Sequence, residues 1–154
     1  MKRILKLTGG ILFAGLLLAQ VVRPDLNHGE AEGPDSLERT HEVPPAVRTT
    51  LVQACYDCHS NRTAYPWYGY VQPVAWWTER HVKEGKAELN FSEFGTYSTR
   101  QAVRKLEEVM DEVELGTMPL ESYRWLHHEA RLSPTQVEQV VKWAENLAEQ
   151  IDAQ

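Results

Sequence analysis

Two cysteines are the only thiols in this chain of 154 residues. Once they are committed to one site, nothing is left for a further disulfide or a second thiolate metal centre. No segment alternates apolar and polar residues over the length of a strand, which argues against a sheet and for an all-α fold. No internal repeat is present, which excludes a solenoid. Basic side chains are few, 16 Lys+Arg against 22 Asp+Glu. A polyanion is therefore not an expected partner, and nucleic acid is set aside.

The two cysteines fall in Cys55-Tyr56-Asp57-Cys58-His59, the attachment pattern of a c-type haem. Two thiols at this spacing can each add to one vinyl group of the porphyrin. The next residue then places an imidazole under the iron. A redox dithiol has the same Cys-x-x-Cys core, but it wants a strand before the pair and a helix after it. This chain reads helical before the motif and irregular after it. A zinc site needs a second ligand pair at short spacing. His127-His128 is the one candidate, and adjacent helical residues point in different directions. A haem-free interaction module with a local disulfide is the remaining alternative. The motif thus predicts one covalent haem c, with Cys55 and Cys58 as thioether partners and His59 as an iron ligand.

The other face of the iron separates an electron carrier from an open site for gas or peroxide chemistry. Met118 is the leading candidate ligand. It sits in a loop between helices, stiffened by Pro119, with a soft thioether that raises the potential relative to two imidazoles. His81 is the alternative, because it shares a helical face with Val74 and Trp77. Met110 falls on a helix stripe and reads as core. His127 and His128 read as surface residues, and His28 and His41 as part of a tether. Trp67, Trp76, Trp77 and Phe91 are the aromatic residues expected to wall the pocket.

Lys2, Arg3 and Lys6 precede an apolar stretch that is densest from Ile11 to Ala19 and extends to Val22. As a helix, Ile4 to Val22 would span about 28 Å. Residues 1–22 therefore read as a secretory signal or a membrane anchor, with the rest on the far side of the membrane. Without these residues, 13 basic side chains face 22 acidic ones, a net of −9. Such a charge suits steering toward a basic partner and equally suits a soluble acidic surface. Residues 23–43, rich in Pro, Gly and acids, read as a flexible acidic tether. Residues 44–154 then form the haem domain.

Within that domain the spacing of apolar residues predicts helices over Ala46–Ala54, Val74 to about Glu88, from Ser98 to a Gly cap at Gly116, and from Ser133 to about Asp152. Capping boxes start the last two, at Ser98/Gln101 and at Ser133/Gln136. Gly85 is expected to weaken the end of its helix. Aromatic loops fill 60–73 and 90–95, and a short helical segment covers Glu121 to Glu129.

Several stretches together resemble the bacterial haem-binding domain family of small c-type-cytochrome-like proteins. They are Cys55-Tyr56-Asp57-Cys58-His59-Ser60-Asn61, Tyr65-Pro66-Trp67-Tyr68, Pro73-Val74-Ala75-Trp76-Trp77, His81-Val82-Lys83-Glu84-Gly85, Leu89-Asn90-Phe91-Ser92, and Met118-Pro119 with Tyr123. The resemblance covers about residues 40 to 152. It implies an exported haem domain, often membrane-tethered, without fixing a reaction. The expected function is single-electron transfer by a monohaem cytochrome on the periplasmic side of the bacterial inner membrane. Its partners would be redox proteins, and as a carrier it needs no catalytic residue. A peroxidase-like or sensory domain with an open or labile sixth site is the alternative.

Overall fold

The computed structural model of the chain describes residues 1–153, and among them it contains helices and loops but no strand. One isolated bridge pairs His28 with Arg62. Eight α-helices follow in order: α1 Lys2–Ala19, α2 Leu37–Thr40, α3 Pro45–Ala54, α4 Tyr56–His59, α5 Val74–Glu88, α6 Thr99–Glu114, α7 Glu121–Arg124 and α8 Pro134–Asp152. Single 3-10 segments lie at Trp67–Tyr70, Phe91–Thr96 and His128–Ala130.

Local chemistry accounts for the helix ends. Pro45 and Pro134 occupy the first turns of α3 and α8, where the missing N–H costs nothing. At α8 the Ser133 hydroxyl accepts from the Gln136 N–H while the Gln136 side chain accepts from the Ser133 N–H. At α6 only the Ser98 half of the expected box forms, with Ser98 Oγ accepting from Gln101 N–H. Gly116 ends that region at φ +68°, the left-handed conformation that favours glycine.

The core lies between α6 and α8, flanked by α3. Leu106, Leu51, Val140 and Ala144 are buried here, together with Leu147 and Ile151. Each fully buried Leu contributes on the order of 1.5–3 kcal/mol. Met110 packs at the edge of this core, as its stripe position requires. Trp143 of α8 is buried too and donates its indole N–H to the Glu42 carbonyl at 3.4 Å.

Two expectations about the N-terminal part are corrected. The first is the membrane anchor. No helix among the described residues is long and apolar enough to cross a membrane. Helix α1 stops at Ala19 rather than Val22, about 27 Å in length, and Lys2, Arg3 and Lys6 take up its first part. The second is the flexible tether. Residues 23–43 are folded onto the domain, with Ser36 and Leu37 fully buried. Asn27 donates to the Ser60 carbonyl and to Thr63 Oγ1, both at 2.9 Å, and its own N–H donates to the Tyr65 hydroxyl. The Gly95 N–H donates to the Asp35 carbonyl at 2.8 Å. Side-chain and backbone hydrogen bonds of this kind are invisible to a composition argument. The end of α1 is held as well: the Gln72 N–H donates to Gln20 Oε1, and the Gln72 and Trp76 side chains both donate to the Val22 carbonyl.

Candidate functional site

Helix α3 ends at Cys55, whose backbone leaves the helical region (φ −123°, ψ −40°). One new turn, α4, follows at once. The N–H groups of Cys58 and His59 both donate to the Cys55 carbonyl, at 3.1 and 2.9 Å. This turn brings Cys55, Cys58 and His59 to the wall of one cavity of about 520 Å³. Asp57, inside the turn, fixes what surrounds it. One of its oxygens accepts from the Ala64 N–H at 2.8 Å, the other from the Tyr123 hydroxyl at 2.7 Å, and its carbonyl accepts from Thr63 Oγ1.

Helix α5 presses directly on the motif. A Cβ placed on Gly85 would stand 2.7 Å from the Cys58 carbonyl oxygen and 3.1 Å from its Cβ. Only glycine permits that approach. The helix runs on past Gly85 to Glu88, so the expected weakening there is absent and the residue serves packing instead.

His59 Nδ1 lies 3.0 Å from the Leu89 carbonyl oxygen. A carbonyl can only accept, so Nδ1 carries the proton and Nε2 presents a lone pair. This is the arrangement that orients a metal-binding imidazole. Burial lowers the His59 pKa, against smaller raising effects from hydrogen bonds to Leu89 and Gly85. The ring is thus kept neutral, the form that ligates. Burial also pushes the Cys55 thiol up to about 12, with Cys58 adding to it. Burial and then Asp57 raise Cys58 to about 11. A catalytic dithiol needs the opposite, a stabilised thiolate, and both cysteines are free rather than disulfide-linked. Among the described residues no cluster of His, Cys, Asp and Glu is arranged to hold a metal ion by itself.

Met118 lines the same cavity. After Gly116 the chain folds back, and the N–H groups of Thr117 and Met118 both donate to the Glu112 carbonyl at 3.1 Å. His81 also lines the cavity. Its Nδ1 lies 2.8 Å from the Trp77 carbonyl and its ring packs on the Trp77 indole at 4.2 Å. Phe91, buried and stacked on Tyr56, forms part of the wall as expected.

The three tryptophans expected as walls lie elsewhere. Trp67, Trp76 and Trp77 are outside the cavity lining and are 79%, 38% and 47% exposed. Trp77 packs on the His81 ring, and Trp76 donates to the Val22 carbonyl. In their place the wall is built by Leu89, Val109, Val113, Leu120 and Tyr123. Lys105 and four glutamates join them, Glu84, Glu88, Glu108 and Glu112. Lys105 stands on the apolar stripe of α6, one position before Leu106. A lysine on that stripe is the signal that the sequence offers for it. His127 is not a free surface residue either. It stacks on Tyr123 at 4.0 Å and lies 2.9 Å from the Tyr68 hydroxyl.

The residues present fit a haem. Two protonated thiols and a neutral imidazole with a free Nε2 share one wall of a largely apolar cavity. Its volume is within the range of about 300–1,000 Å³ usual for ligand sites. The glycine that brings α5 onto the motif completes the cradle.

Fold and site together define a helical haem-binding domain. The chain belongs to the haem-binding domain family, whose model matches residues 14–146. No curated protein and no solved structure matches it.

Proposed function

We propose that this domain is a monohaem c-type cytochrome that carries single electrons outside the cytoplasm, on the periplasmic side of the bacterial inner membrane. Cys55 and Cys58 would form the thioether links, and His59 and Met118 would hold the iron. A bound haem supplies one-electron chemistry, with a potential set by its ligands and surroundings. The protein's part is to hold and shield it. The Leu89 carbonyl fixes the His59 tautomer, Gly85 lets α5 seal the motif, and Phe91, Leu89, Val109 and Val113 exclude water. The basic start and apolar run of residues 1–19 support export, as does thioether chemistry, which belongs outside the cytoplasm. The acidic balance of the chain favours a redox partner with a basic face.

The observation that supports this reading is that Met118 lines the same cavity as the Cys55–His59 turn. Its test is optical. The ferric protein should show the long-wavelength band of methionine–iron bonding, and Met118→Ala should abolish it while keeping the haem attached.

The position of His81 on the same cavity favours one second reading. There the sixth ligand is His81 in place of Met118, or the position stays open or labile and the domain serves sensing or peroxidase-like chemistry. A wild-type spectrum without the methionine band would select it. Loss of the low-spin state in His81→Ala would then assign the ligand, and a high-spin wild type would mark an open site.

A further inference from the structure

Lys105 is the most unusual charge in the molecule. Its side chain is 6% exposed, on a stripe where Ala102, Leu106 and Val113 are apolar. Its ammonium lies 2.6 Å from Glu108 Oε2 and 3.5 Å from Glu88 Oε2. A surface pair with Glu108, three residues away, requires no burial. A buried lysine is costly unless its charge is put to use. It lies in the cavity wall, where among the described residues it is the one Lys or Arg. Asp57 and the four glutamates put five carboxylates around the same space.

We infer that Lys105 receives a propionate carboxylate of the haem, an inference that rests on the haem reading above. A haem brings two carboxylates into a space already lined with five. One cation in the wall must offset part of that charge. An ammonium has three donors, and two carboxylates engage it here. The third donor is available for a ligand. The Glu88 contact is long and its side chain is 78% exposed. Glu88 can therefore turn to solvent and yield a second donor at little cost. Lys105 would thus hold the ring at a propionate while Cys55 and Cys58 hold it through their sulfurs, and would add a positive charge to the pocket. It acts as a positioning residue.

The test uses the full chain matured with haem. Lys105→Met is compared with Lys105→Arg and with Lys83→Met, which removes the same charge from an exposed site. Two readouts serve: the reduction potential and the propionate bending band in resonance Raman spectra. Lys105→Met should lower the potential and shift the propionate band. Lys105→Arg should recover the potential, and Lys83→Met should leave both readouts unchanged. The inference is overturned if Lys105→Met leaves the band and the potential in place, or if Lys83→Met moves the potential equally. Should Lys105→Met fail to accumulate, Lys105→Gln gives the same two readouts. A wild-type chain that matures without haem defeats the haem reading itself. A haem-loaded chain insensitive at Lys105 defeats this inference alone.

Discussion

Gly85 illustrates how a single residue ties packing to chemistry. Its missing side chain lets α5 lie against the carbonyl of Cys58. Gly85→Ala favours the helix locally, by about 1 kcal/mol, yet inserts a methyl group 2.7 Å from a backbone oxygen. Overpacking of that kind costs about 1–3 kcal/mol, so the clash is the larger effect. The variant should unfold at lower urea concentration than the wild type, and attach haem less completely, if the Gly85 contact shapes the motif. At this scale the sequence was legible where chemistry is contiguous. Cys55, Cys58 and His59 are neighbours in the chain, so spacing alone revealed them. The Leu89 carbonyl that orients His59 comes thirty residues later, and only the fold shows that it arrives there. Lys105 was hidden for a different reason: helical periodicity marks its position as buried but says nothing about which cavity it faces.

At the scale of elements, periodicity and caps performed well. The bounds of α5 and α8 follow directly from apolar spacing, Pro134 and the Ser133 box, because these signals are local in the chain. Residues 23–43 were illegible because their order comes from partners elsewhere. Asn27 alone reaches Ser60, Thr63 and Tyr65, and its side-chain carbonyl accepts from Lys86 Nζ at 3.0 Å. Asn27→Ala should therefore cost about 1–3 kcal/mol, since it strands buried polar partners. Amide hydrogen exchange would register it as faster exchange at Thr63, whose N–H donates to the Asn27 carbonyl. A truly loose tether would leave stability and exchange unchanged. The tryptophans are illegible for a related reason. Large apolar residues usually fill pockets, which makes Trp67, Trp76 and Trp77 expected walls. The fold instead puts Trp76 on the Val22 carbonyl and Trp77 on the His81 ring.

Over the whole molecule, the α6/α8 core and the cavity wall share one helix. The stripe of α6 that buries Leu106 also presents Lys105, Val109 and Val113 to the cavity. Stability of the core and geometry of the site are therefore coupled. The fold class followed from the sequence because helices are specified by local pattern. The cavity's composition did not, because it is assembled from α4, α5, α6 and the loop after Gly116, which only tertiary packing brings together. The central claim is that this assembly carries one covalently attached porphyrin. The intact mass of the purified chain tests it most directly, in a host proven to mature another c-type cytochrome. The account predicts the polypeptide plus a single haem, and the bare polypeptide after Cys55→Ser with Cys58→Ser. A wild-type chain of bare polypeptide mass from that host would contradict it.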